Sequence, residues 1–139
     1  MNNRNNSDSD SNLKKLQILI LDDEPIVCKR LKPAFLKAGY EVETYTDSAQ
    51  AMARTLERNF DIVITDLKMD GMSGMEFLTE VKRRSPRTEI IVITGFATLE
   101  ASKESFQKGV FKFVAKPFKL SDILEMVTQL KNERIKNVV

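Results

Sequence analysis

Four short stretches carry side chains that could do chemistry: Asp22-Asp23-Glu24, Asp66, Thr94-Gly95 and Lys116-Pro117. Each follows an apolar run, directly or after one residue: Ile18-Leu19-Ile20-Leu21, Ile62-Val63-Ile64, Ile90-Ile91-Val92-Ile93, and a segment ending at Val114. The chain has no histidine, so an imidazole base, nucleophile or metal ligand is excluded. Its single Cys28 allows neither an internal disulfide nor a cysteine zinc site. If the carboxylates of Asp22, Asp23 and Asp66 converge, they repel one another and need a cation. Oxygen donors alone favour a hard ion, and Mg2+ suits a site of one or two carboxylates, water and a phosphate oxygen. That is phosphoryl-transfer chemistry. Asp66 would be the nucleophile and form an aspartyl phosphate, with Mg2+ and Lys116 offsetting the charge on the equatorial oxygens. The Thr94 hydroxyl would donate to a phosphate oxygen. Taken singly, these are ordinary turn and cap residues; only convergence gives them chemistry.

The elements that must bring them together are strands at 17–21, 41–45, 61–65, 89–93 and 110–114, alternating with longer amphipathic stretches. Such alternation yields a parallel sheet with crossover helices. The runs at 18–21, 62–64 and 90–93 are apolar without alternation, so these strands should be central and covered on both faces. Glu41-Val42-Glu43-Thr44-Tyr45 alternates, as an edge strand does. The first helix begins near Pro25, turns Val27, Leu31, Ala34, Phe35 and Ala38 inward, and stops at Gly39. The second has Asp47 as N-cap with Ala49, Met52, Ala53 and Leu56 inward. The third opens on Ser73-Gly74-Met75-Glu76, a capping-box pattern, and buries Phe77, Leu78 and Val81. In the fourth, about 98–108, Leu99, Ala101 and Phe106 are almost the only apolar residues, so its local stability should be low. The fifth carries Leu120, Ile123, Leu124, Val127 and Leu130. The result is an α/β doubly wound sheet, which binds ligands outside the carboxyl ends of its strands. Right-handed crossovers bring the four reactive stretches to that one rim.

At 139 residues the chain is sized for one domain. Residues 1–12 are rich in Asn, Ser and Asp and are expected to be a disordered tail, with the folded domain at 13–131 and a helix extension or linker at 132–139. A net charge of +2 is too small for a nucleic-acid binder, no apolar run spans a membrane, and the start lacks a signal-peptide core. A cytoplasmic protein is expected.

In order and spacing, Asp22-Asp23, Asp66, Thr94-Gly95 and Phe113-x-x-Lys116-Pro117 resemble the receiver domains of bacterial response regulators, over residues 16–130. Thr65-Asp66-Leu67-Lys68-Met69, Gly71-Met72-Ser73-Gly74-Met75-Glu76 and Thr94-Gly95-Phe96-Ala97-Thr98 look most like receivers attached to sigma-54-dependent activators. The resemblance implies a flavodoxin-like five-stranded parallel sheet of order 2-1-3-4-5 with helices on both faces. It implies Mg2+ bound directly by Asp23 and Asp66, through water by Asp22, and by the backbone carbonyl of Lys68. Thr94 and Lys116 would bind the phosphoryl group, the bond before Pro117 would be cis, and Thr94 with Phe113 would form the switch. The partners implied are a sensor histidine kinase or histidine phosphotransfer protein as donor, and a downstream target or output domain. A phosphorylation-dependent homodimer belongs to the same expectation, at a surface of the fourth helix, fifth strand and fifth helix that includes Lys103, Lys108, Lys112 and Lys119. Such a module is not an enzyme beyond its own phosphorylation and slow dephosphorylation. Asp70 stands where the family usually has proline before the glycine. Lys68 and Phe96 offer no carboxylate or carboxamide to orient water, so the aspartyl phosphate should be long-lived.

Three rival readings share parts of this pattern. A haloacid-dehalogenase-like phosphatase needs a second acid where Lys68 stands. A flavin site needs a phosphate loop where Asp22-Asp23-Glu24 would repel the ligand. A receiver used only for docking, without phosphorylation, has the same fold.

Overall fold

The computed structural model describes residues 15–138, so the tail expected at 1–12 lies outside the described residues. Five strands alternate with five helices: β1 Gln17–Leu21, α1 Pro25–Lys37, β2 Glu41–Tyr45, α2 Ser48–Glu57, β3 Ile62–Thr65, α3 Gly74–Arg84, β4 Glu89–Thr94, α4 Leu99–Gln107, β5 Lys112–Ala115 and α5 Leu120–Val138. All strand pairs are parallel, in the order β2-β1-β3-β4-β5. This is the expected flavodoxin-like sheet, with β1, β3 and β4 central and the alternating β2 at an edge.

The central strands lack alternation because both of their faces are buried. Ile18 and Ile20 of β1 point into one core with Leu31 and Phe35 of α1 and Ile123 and Val127 of α5. Leu19 and Leu21 point into the other, with Ala51 of α2, Phe77 and Leu78 of α3 and Ala101 of α4. The in-register neighbours Ile62 and Val63 divide between the two cores in the same way. Fixing the strands from both sides sets the height of their carboxyl ends, where the reactive residues stand.

Three local expectations need correction. The α2 face is turned by about one residue: Ser48 and Ala51 are buried, whereas Ala49 and Ala53 are exposed and Leu56 is 52% exposed. In this phase Ala51 and Met52 pack on the core, and Arg54 reaches Glu43 on β2 through Nε at 2.8 Å and Nη2 at 2.9 Å. The Glu43 carboxyl is accordingly held down to about 2, mainly by its Arg54 hydrogen bonds. Ala38, expected inward on α1, is exposed. The fifth strand begins at Lys112 rather than at 110, because Val110 gives its N–H to the Ser105 carbonyl in the turn at Gly109, φ 92°, that follows α4.

Candidate functional site

The carboxyl ends of β1, β3, β4 and β5 meet around a depression of about 300 Å³ lined by Asp23, Glu24, Asp66, Lys68, Thr94, Gly95, Phe96 and Lys116. Asp22 lies at its floor, 2% exposed. Parallel register accounts for the meeting: Leu21 pairs with Thr65, Thr65 with Val92, and Thr94 with Ala115. Asp22, Asp66 and Lys116, each just past its strand, and Thr94, the last residue of β4, therefore emerge on one rim.

Asp66 is 6% exposed, and its two oxygens have separate partners. Oδ1 accepts the Leu67 N–H at 2.6 Å, while Oδ2 faces Lys116 Nζ at 2.8 Å. Beneath it the chain is tightly fitted: a Cβ on Gly74 would fall 1.7 Å from the Asp66 carbonyl oxygen and 2.6 Å from Leu67 Cα. Only glycine lets the start of α3 come this close. The same turn is secured by a reciprocal capping box between Ser73 and Glu76.

Lys116 also faces Asp22 Oδ2 at 3.0 Å and Glu24, so one ammonium gathers three carboxylates. Burial works against its charge, but the hydrogen bonds to Asp66, Glu24 and Asp22 outweigh that and raise its pKa. It is held in place by its own N–H to the Thr94 carbonyl at 2.8 Å, and the Lys116-Pro117 bond is cis, as expected. Burial pushes the Asp22 carboxyl up, opposed by the Glu24 N–H and by Lys116. Three negative groups against one fixed ammonium leave the cluster short of positive charge.

A cation would fit here. One carboxylate oxygen from each of Asp22, Asp23 and Asp66 lies within 4.8 Å of the others, and the donors are all oxygen, the set that suits Mg2+. Lys68, whose carbonyl was expected to join them, follows two residues after Asp66, and its N–H stands 3.4 Å from Asp66 Oδ1. Its ammonium reaches across the depression to the Phe96 ring, 4.3 Å from the centroid.

Thr94 is fully buried, and its Oγ1 accepts the Phe96 N–H at 3.0 Å. Phe113 is half-buried on β5, in register with Val92 and packed against the core that holds α3 and α4. Of the expected site residues, Asp22, Asp23, Asp66, Lys68, Thr94 and Lys116 lie at this rim, whereas Phe113 stands two residues earlier on β5 than Ala115, the register partner of Thr94. The contact of Glu24 with Lys116 and the fit of Gly74 under Asp66 were not expected. The acidic run signalled the first, but nothing in the sequence signalled the second.

A larger groove of about 900 Å³ opens beside Gln17, Phe60, Asp61, Thr88 and Arg134, near the amino ends of the strands, and has none of these carboxylates. Among the described residues, no helix is long and apolar enough to cross a membrane.

Comparison with known proteins agrees with this geometry. The response regulator receiver domain family matches residues 18–128. The regulatory protein AtoC of Escherichia coli K12 is 34% identical over 113 residues, 81% of this chain and 24% of AtoC. The DNA-binding transcriptional regulator NtrC of the same strain is 26% identical over 110 residues, 79% of this chain and 24% of NtrC. The chain thus spans about a quarter of the length of these relatives. Among solved structures, a CheY-like response regulator receiver domain from Methanospirillum hungatei superposes with a TM-score of 0.85 at 29% identity, covering 89% of this chain and 99% of that one. The response regulator TrrA of Thermotoga maritima, solved with Mg2+ and BeF, gives a TM-score of 0.73 at 30% identity, covering 83% and 98%. With a family match across most of its length, the expected sheet order and one acidic rim, the chain belongs to the response regulator receiver domains of two-component systems.

Proposed function

We propose that this receiver takes a phosphoryl group onto Asp66, with Mg2+ held by Asp22, Asp23, Asp66 and the Lys68 carbonyl, and passes the change to a partner surface. The observation that carries this reading is the single nucleophile-like carboxylate, Asp66, set between Lys116 at 2.8 Å and two further carboxylates at ligand spacing. An Asp66 oxygen attacks phosphorus in line, and the bond from phosphorus to the donor's imidazole nitrogen, or to the oxygen of an acyl phosphate, breaks and takes its electron pair with it. Bound Mg2+ would supply charge neutralisation at the phosphoryl oxygens. Lys116, already on Asp66 Oδ2, would move its contact to a phosphoryl oxygen. Thr94 accepts one hydrogen bond and has its O–H proton left to give to the same group. With no histidine in the chain, the donor is a sensor histidine kinase, a histidine phosphotransfer protein or a small acyl phosphate.

Movement of Thr94 toward phosphate would leave room for Phe113, shifting α4, β5 and α5 between two packings. On α4, Leu99 is 71% and Phe106 50% exposed, an apolar face suited to an output domain, a downstream protein or a second copy. The likeness to NtrC and AtoC supports a regulator of the sigma-54-dependent activator kind, working in the cytoplasm, with any DNA contact left to other domains.

Incubation with acetyl phosphate and Mg2+ should label the parent protein and leave Asp66→Asn unlabelled. Labelling of the variant at the parent's rate would overturn the reading. Lys68 sits over Phe96, and neither offers a carboxylate or carboxamide to orient an attacking water, so the aspartyl phosphate should persist. Lys68→Asn should hasten its decay severalfold, and an unchanged lifetime would show that this position does not control hydrolysis.

A further inference from the structure

The loop from Asp66 to α3, residues 67–73, has no regular secondary structure. Its ends are well fixed. Leu67 gives its N–H to Asp66 Oδ1, Gly74 gives its own to the Leu67 carbonyl at 2.8 Å, and Ser73 is tied to Glu76. The middle is held less firmly. Asp70 is exposed, and Gly71 has φ 81°, a geometry whose preceding residue is often proline because proline fixes its own backbone. Aspartate leaves that torsion free. Met69 and Met72 lie partly against the core, but thioether side chains adapt to gaps rather than dictate a backbone.

One group reaches this middle section from another element. Ser48, the first residue of α2, is 3% exposed, and its Oγ accepts the Met72 N–H at 3.2 Å. The same oxygen stands 3.2 Å from where a Cβ on Gly71 would be, so it lies close beside the Gly71 backbone as well. Ser48 is itself placed by the capped start of α2, where Asp47 accepts the Gln50 N–H at 3.0 Å. A polar residue at one of the most buried positions of a helix is retained where its hydrogen bond is made.

We propose that Ser48 is a positioning residue for the metal-binding loop: its buried hydroxyl ties Met72 to α2 and so holds the backbone that carries the Lys68 carbonyl. This rests on the reading of Asp22, Asp23, Asp66 and Lys68 as the Mg2+ site. The coupling makes α2, which contributes no residue to the lining of the depression, a support of the site. Its strength is set by a single neutral hydrogen bond.

The test is amide NMR on the intact chain, with hydrogen exchange in metal-free protein and a Mg2+ titration read at the Asp22, Asp23 and Asp66 amides. Ser48→Ala should remain folded, lose protection at the Met72 amide, and bind Mg2+ roughly fivefold more weakly, the effect of about one neutral hydrogen bond. Adding Asp70→Pro stiffens the loop by another route and should return most of that affinity while the Met72 amide stays unprotected. Among the described residues the Asp70 N–H donates to no protein acceptor, so proline removes no bond. A Ser48→Ala affinity equal to the parent's would overturn the proposal, as would a loss that Asp70→Pro does not recover, which marks general destabilisation. A parent that itself shows no saturable Mg2+ response would sink the site reading and this proposal together, an outcome distinct from a parent that binds and a variant that binds equally well.

Discussion

Helices α3 and α4 cover the same face of the sheet but are held by different means. α3 buries Phe77, Leu78 and Val81, begins in a capping box, and lies so close under Asp66 that its first residue must be glycine. α4 is capped by Thr98, but the residues it buries are Ala101 and Ser105, while its large side chains Leu99 and Phe106 face outward. Burying a large apolar side chain contributes about 1.5–3 kcal/mol, so α3 is anchored several kcal/mol more firmly than α4. The helix that supports the nucleophile is thereby rigid, and the one that follows Thr94 is loosely held. A loosely held element can shift between packings at a free-energy cost that a few new hydrogen bonds to a phosphoryl group offset.

The largest effect should come from truncating the two aromatic side chains. Phe77→Ala is expected to destabilise the fold by about 3–5 kcal/mol, whereas Phe106→Ala should change stability by no more than about 0.5 kcal/mol. Urea unfolding of both variants checks this, and equal losses would erase the contrast. Next in size, Gly74→Ala forces a methyl group into the Asp66 backbone and should cost about 1–3 kcal/mol while reducing acetyl phosphate labelling. Unfolding and labelling measured together would separate a shifted Asp66 from a merely weakened fold.

The smallest effect concerns pH. Glu80, near the end of α3, accepts hydrogen bonds from Arg83 and Arg84, which hold its carboxyl down to about 2 against an ordinary 4.5. Its folded pKa lies below its unfolded value, so its contribution is complete above about 4.5 and is lost as pH falls toward 2. The group is exposed to solvent, which screens the pairing. The stability gap between the parent and Glu80→Gln should therefore be small at pH 6, shrink in acid, and shrink in high salt. At the end of α4, Lys108 stands 3.9 Å from Glu104, too long for a comparable hydrogen bond.

Much of this architecture was legible because it rests on local pattern. Unbroken apolar runs marked three central strands, the alternation of β2 marked an edge, and Ser73 to Glu76 spelled out the start of α3. The phase of α2 was not legible, because the contacts made in it, Arg54 with Glu43 and Ser48 with Met72, join residues on different elements. Nor was the late start of β5, since Val110 spends its N–H on the end of α4. The weak apolar content of α4 was visible, but the outward turn of Leu99 and Phe106 was not.

The sequence by itself determined which chemistry is open to this chain. Without histidine and with acidic residues, a threonine and a lysine placed after apolar runs, it permits oxygen-ligated, carboxylate-centred phosphoryl transfer and excludes imidazole-based routes. Tertiary structure alone decided distances: that Lys116 gathers Asp22, Glu24 and Asp66, that α3 leaves no room for a side chain at Gly74, and that Ser48 reaches the loop after the nucleophile. Residue types and their order fix what groups can do, whereas contacts between residues far apart in the chain depend on how whole elements settle against one another.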